Sequence, residues 1–255
     1  MDQENSNKTE AKLTPKHTNP MVLPISIVIA GVIIAIAIIL SSNNANVSKN
    51  SKSTNSSTNT TANTITPPTN NKVVTVSLGT NPVEGNLKTA KVGIVEYGDF
   101  QCPYCKQFAN GAGDSIYTNF VKTGEAVFTF RDYPLVNIHP LSTEMAIEGR
   151  CFSAQGKFWQ YYNKMYSTTQ NNNTPSIVTG YARAMGLNMT KYASCVTNKT
   201  YEPQIQKDIA SGNRINLGGT PTIVIGTLKN GKVQGQMILG AYSYSYFENI
   251  IKSYL

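Results

Sequence analysis

The chain has 255 residues, four cysteines, two histidines and a formal net charge of +8. That length holds one sizeable core domain with appendages, or two small domains. Four cysteines are too few for a disulfide-dense mini-protein, two histidines leave little for a His-based metal site, and no P-loop glycine run is present. Lys8, Lys12 and Lys16 balance Asp2, Glu4 and Glu10, so the excess charge lies after residue 40, where no five-residue stretch is dominated by Lys or Arg. Scattered positive charge attracts anions weakly and leaves no nucleic-acid footprint.

The first element in chain order is Met21–Leu40, an uncharged apolar run, with no charge between Lys16 and Lys49. Twenty helical residues rise ~30 Å, the thickness of a bilayer's hydrocarbon core. A cleavable signal peptide has a shorter apolar region of about 7–15 residues, and Ser41-Ser42-Asn43 offers no A-x-A site. The run therefore predicts an uncleaved single-pass anchor over 21–40, with residues 1–20 as a cytoplasmic tail. The next stretch, 41–72, has 23 Ser, Thr or Asn among its 32 residues. It cannot bury enough apolar surface to offset its ordering entropy, so it is expected to be a flexible linker. Asn-x-Ser/Thr triplets at Asn46, Asn55, Asn59, Asn188 and Asn198 lend mild support to an external location.

A folded pattern begins at Val73. Val73–Leu78 alternates and is β-branched, and Val92–Tyr97 suits a buried strand. Cys105, Phe108, Ala112, Ile116 and Phe120 then recur every three or four residues, one face of a helix from about Cys102 to Gly124. Ala126–Arg131 reads as a strand and completes a βαβ unit. The next 84 residues, Leu135 to Gly218, far exceed the dozen or so that a crossover needs. Their spacing predicts a helical insertion over about 136–217. Strands at Thr222–Ile225 and Gln236–Leu239 flank an Asn230-Gly231 turn, and Tyr242–Tyr254 reads as an aromatic-rich helix.

The chemistry concentrates at Cys102-Pro103-Tyr104-Cys105, between a buried strand and a helix. Free N–H groups and the macrodipole at a helix N-terminus stabilise a thiolate. Two intervening residues let the sulfurs close a disulfide. Cys102 is expected to be the exposed nucleophile, and Cys105, on the buried stripe, the resolving thiol. Half a zinc site would need two further ligands, but Cys151 and Cys195 are single and distant. Gly219-Thr220-Pro221 precedes a core strand. Pro221 is either a simple strand-start proline or part of a cis-Pro loop beside the redox pair that offers its backbone to an extended substrate. Glu96 is the only charge in its strand run. It either lies beneath Cys105, exchanging a proton with that thiol, or faces solvent at a sheet edge. Asp99 and Arg131 read as plain surface or structural charges, and His139 as structural. Cys151 and Cys195 are a structural disulfide, two buried free thiols or a second redox pair. The disulfide is preferred because free thiols are a hazard in an oxidising compartment.

CPYC between strand and helix, a helical insertion, and Thr220-Pro221 before strand, turn, strand and helix resemble the thioredoxin superfamily. Within it, the chain resembles the DsbA-like thiol–disulfide oxidoreductases. Phe128-Thr129-Phe130-Arg131-Asp132-Tyr133-Pro134-Leu135 and Gln155-Gly156-Lys157-Phe158-Trp159 fit that group. The resemblance spans about 73–255. It implies an α/β thioredoxin fold with an inserted helical domain, a cis Pro221 and Cys102 as the attacking thiol. It further implies substrate contacts at Pro103, Tyr104 and Thr220. Many of these proteins have Pro-His between the cysteines; Tyr104 brings no imidazolium and argues for a milder oxidant.

The expected function is disulfide introduction into thiol-bearing exported proteins, outside the cytoplasmic membrane. The resemblance implies regeneration by a membrane oxidase of the DsbB or vitamin K epoxide reductase type. No cofactor and no metal are expected, and a monomer is. The alternatives are a thiol reductase or disulfide isomerase using the same pair, or a non-catalytic metal- or protein-binding chaperone on this fold.

Overall fold

In a computed structural model, the structure describes residues 72–167 and 173–255. The expected tail, anchor and all but the last residue of the linker lie outside the described residues. Among the described residues, no helix is long and apolar enough to cross a membrane.

Six strands form one sheet: β1 (Lys72–Ser77), β2 (Val83–Glu84), β3 (Val92–Gly98), β4 (Ala126–Asp132), β5 (Thr222–Lys229) and β6 (Lys232–Leu239). Their order is β1-β6-β5-β3-β4-β2. Only β3 and β4 pair in parallel; every other neighbour is antiparallel. The parallel pair needs a crossover, supplied by α1, a continuous helix that begins as Pro103–Phe108 and Asp114–Ile116 with π-helical turns at Ala109–Gly113 and Tyr117–Val121. Asn230 and Gly231 both adopt positive φ, 51° and 68°. Such a turn matches the twist of paired strands and sets the β5–β6 hairpin register. The two-residue edge strand β2, too short for a periodic signal, was not anticipated.

β3 is buried along its whole length, and its alternation sorts side chains between two cores. Val92 and Ile94 face α1 and the helical region, whereas Val95 and Tyr97 face the opposite side with Val74, Val224 and Val233. Glu96 shares the face of Ile94. This placement, on a central strand and fully buried, rules out the edge-facing solvent position.

The insertion comprises α2 (Ser142–Ser153), α3 (Phe158–Ser167), α4 (Pro175–Ala184), α5 (Met189–Thr197) and α6 (Glu202–Arg214). The last helix, α7 (Tyr244–Lys252), packs Phe247 edge-on against Phe108 of α1. Cys151 of α2 and Cys195 of α5 are joined by a disulfide. A buried ionic cluster ties the insertion to the sheet. Asp208 of α6 accepts Arg131 Nε of β4 at 2.9 Å and Arg150 Nη2 of α2 at 3.0 Å. Arg150 also bonds Asp132, and Asn81 donates to both Asp208 oxygens. Arg131 is thus a buried strut rather than a surface charge.

Candidate active site

Cys102 caps the N-terminus of α1, with Pro103 in the first helical position, where its missing N–H costs nothing. Both cysteines are free thiols in this structure. Cys105, one turn on, is fully buried. Cys102 was expected to be exposed, but it is only 4% exposed. The Thr220 loop covers it, and the Cys102 thiol donates to the Thr220 carbonyl at 3.3 Å. The Thr220–Pro221 bond is cis, and both residues are buried. What stands out to solvent is Pro103 and Tyr104, the latter 62% exposed.

The two thiols differ in acidity. The Cys102 thiol is lowered to about 6. A hydrogen bond from the Cys105 thiol contributes most; burial opposes it, and the Thr220 side chain and the backbone N–H groups of Cys105 and Tyr104 assist. The two backbone N–H groups are the helix N-terminus contribution, and they rank behind the Cys105 thiol. Burial pushes the Cys105 thiol well up, reinforced by its donation to Cys102 and by the negative charge of Glu96.

Glu96 lies beneath this pair. Its carboxyl is pushed up to about 8, chiefly by burial, with the Cys102 charge adding to the rise; a hydrogen bond from Tyr162 opposes it. Tyr162 Oη donates to Glu96 Oε2 at 2.7 Å, whereas buried Oε1 has no partner among the described residues. Gly98 keeps this space open: a methyl group there would lie 3.1 Å from Glu96 Oε1 and inside the Phe130 ring contact.

Asp99 is buried and organises the approach to the pair. Its carboxylate accepts the Gln101 and Leu135 N–H groups and pairs with His139 Nδ1, each at 2.8 Å. Its carbonyl accepts the Cys102 N–H and the Tyr166 hydroxyl. Of the two readings of Asp99, surface or structural charge, the structural one holds: the loops before α1 and after β4 wrap its carboxylate. Tyr162 and Tyr166 bring two further hydroxyls to the site. Periodicity identified them only as helix-face residues, since tyrosine spacing does not say which hydroxyl meets which acid. Among the described residues, no group of three or more His, Cys, Asp or Glu is placed to hold a metal.

Fold and site define a thioredoxin-fold protein with a CxxC pair at a helix N-terminus, opposed by a cis proline and backed by a buried acid. The chain belongs to the thioredoxin family: residues 77–251 match the family model described as Thioredoxin. The architecture is DsbA-like. Wolbachia pipientis alpha-DsbA1 superposes with a TM-score of 0.60 at 18% identity, covering 69% of this chain and 91% of that one. Bacillus subtilis BdbD, in its oxidised form, gives 0.56 at 22% identity, covering 68% and 91%. The chain is also 24% identical over 154 residues to Disulfide bond formation protein D of Bacillus subtilis, covering 58% of this chain and 69% of that protein. The Na(+)/H(+) antiporter NhaA 1 of Salinispora arenicola is 28% identical over 138 residues, which cover 54% of this chain and 20% of the antiporter. The chain thus spans about a fifth of the length of that relative.

Proposed function

We propose that the protein is a membrane-anchored thiol–disulfide oxidoreductase working outside the cytoplasm, which introduces disulfides into exported proteins through Cys102 and Cys105. The observation that carries this reading is the asymmetry of the pair: an acidic Cys102 under the Thr220 loop and a buried, weakly acidic Cys105 above Glu96.

The chemistry follows from that asymmetry. A substrate thiolate attacks Cys102 Sγ of the oxidised pair, and the Cys102–Cys105 bond breaks. Cys105 leaves with the electron pair and takes a proton from the buried Glu96 carboxyl, which is protonated below about pH 8. A second substrate thiolate attacks the substrate sulfur of the mixed disulfide, and Cys102 leaves as a thiolate. A low thiol pKa makes that departure fast. The substrate dithiol is oxidised by two electrons and the protein pair is reduced. A membrane oxidase of the DsbB or vitamin K epoxide reductase type would restore the disulfide. Pro103, Tyr104 and Thr220 border the pair and are the proposed substrate contacts, with Pro221 shaping their wall.

A thiolate stabilised in the folded protein and absent from the oxidised form must stabilise the reduced fold. The folded Cys102 pKa is depressed, so its contribution is full above the unfolded value and is lost as pH falls through about 6. At about pH 8 it is worth ~2–3 kcal/mol. The raised Cys105 pKa subtracts only above its ordinary value. The reduced protein should therefore melt above the oxidised one at about pH 8 with Cys151–Cys195 intact, and the gap should close near pH 6. A higher-melting oxidised form would turn the assignment to a reductase or isomerase. The exposed, uncharged Tyr104 is the one feature favouring that second reading.

A further inference from the structure

The helical insertion reaches the redox centre through two α3 hydroxyls: Tyr166 bonds the Asp99 carbonyl, and Tyr162 bonds the buried acid itself. Tyr162 of α3 is 6% exposed, and its hydroxyl donates to Glu96 Oε2 at 2.7 Å. Its ring is wedged edge-on between Phe130, Trp159 and Tyr166, with centroids 4.8–5.5 Å away. Those contacts hold the hydroxyl in place independently of the bond it makes. Tyr162 also lines a cleft of about 160 Å³, together with Glu84, Asp114, Phe128, Trp159 and Asn163. The cleft has room for water.

We propose that Tyr162 is a positioning residue for thiol–disulfide exchange: its hydroxyl fixes the Glu96 carboxyl through Oε2, keeps Oε1 as the proton-bearing oxygen for Cys105, and favours the carboxylate form. The proposal rests on the reading of Cys102 and Cys105 as the exchanging pair. Across one exchange Glu96 gives its Oε1 proton to the departing Cys105 sulfur, and the carboxylate later regains a proton from solvent. No electron passes through Tyr162; the sulfur–sulfur bonds carry the redox change.

Among the described residues, the titratable groups that interact with Glu96 are Cys102 and Cys105 at the start of α1 and Tyr162 and Tyr166 of α3; Glu84 of β2 and Asp114 of α1 line the cleft beside Tyr162. The sheet neighbours opposite Glu96 in register, Phe130 and Ile223, carry no charge. An ionised Cys102 disfavours the carboxylate, and the Tyr162 hydroxyl favours it. Loss of that hydroxyl must then move Glu96 towards its protonated form.

The test uses the full-length protein in its oxidised state and reads the Glu96 carboxyl by infrared difference spectroscopy against pH, with Glu96→Gln assigning the band. Tyr162→Phe keeps the ring and removes the oxygen. Its carboxyl midpoint should rise by about one pH unit, the equivalent of one hydrogen bond to a charged group. The alkaline limb of the rate of reduction by dithiothreitol, measured relative to Glu96→Gln, should move by the same amount. Adding Tyr162→Phe to Glu96→Gln should move nothing further. Should Tyr162→Phe not fold, 3-fluorotyrosine at position 162 is a stronger donor and should shift the midpoint downward. An unchanged midpoint in either Tyr162 variant overturns the proposal. Carboxyl shifts as stated in a protein that exchanges no disulfides would instead reject the oxidoreductase reading and leave the Tyr162–Glu96 coupling standing.

Discussion

The two cysteine pairs occupy contrasting surroundings. Cys151 and Cys195 are 44 residues apart, joined, and set between helices of the insertion. Cys102 and Cys105 are one helical turn apart, free in this structure, and meet helix N–H groups, the Thr220 carbonyl and Glu96. Loop length and surroundings give the pairs opposite consequences. Closing a long loop removes much chain entropy from the unfolded state, whereas closing a two-residue spacer removes little. On the proposed reading, a helix N-terminus and a buried acid instead raise the leaving ability of one sulfur and manage the proton of the other. One pair is then a staple and the other chemistry, and the variants that separate them fall in a definite order.

The largest expected effect is on exchange. Cys102→Ser should abolish disulfide transfer to a reduced peptide, and Cys105→Ser should trap mixed disulfides at Cys102, visible by mass spectrometry of non-reduced protein. Equal transfer by both variants would erase the assigned roles. Cys151→Ala with Cys195→Ala should keep the trapping chemistry yet lower stability by ~4 kcal/mol in the chain-entropy account, read from denaturant unfolding. If exchange is lost while stability holds, that pair is not a staple.

A comparable loss is expected where the insertion meets the sheet. Asp208→Ala leaves Arg131 and Arg150 buried without their shared carboxylate, a change that typically costs about 3–5 kcal/mol. The depressed Cys102 pKa should survive in whatever fraction remains folded, because none of its causes comes from the cluster.

Glu96→Gln should act in the opposite direction. The folded carboxyl is raised from its ordinary 4.5 to about 8, so its contribution is full below the unfolded value and is lost as pH rises through about 8. At about pH 7 the deficit is ~3 kcal/mol. Glu96→Gln should therefore melt higher than the parent protein near neutral pH, with a flatter pH dependence, while slowing exchange. A variant that melts lower at every pH would mean that the acid is merely structural.

Much of this was legible in residues close together in sequence. The strand Val92–Gly98, the stripe from Cys105 to Phe120 and the Asn230-Gly231 turn each carry a local signature, because strand alternation, helix periodicity and positive φ are local properties. The CPYC pair and Thr220-Pro221 were legible for the same reason. What escaped was contact between distant segments. Nothing local to Arg131 announces Asp208, 77 positions away, and nothing in Tyr162 announces Glu96, 66 positions away. The burial of Cys102 escaped likewise, since it depends on the Thr220 loop 118 positions on.

The central claim is that Cys102 is the acidic nucleophile and Cys105 the buried, weakly acidic partner. Its most direct test is the pH dependence of alkylation of each thiol in the folded, reduced, full-length protein, resolved by peptide mass spectrometry with Cys151–Cys195 left closed. The account predicts that Cys102 labels first, with a midpoint of about 6, and that Cys105 stays unlabelled until well past the ordinary thiol range. Both thiols titrating together near the ordinary cysteine value, or Cys105 labelling first, would contradict it.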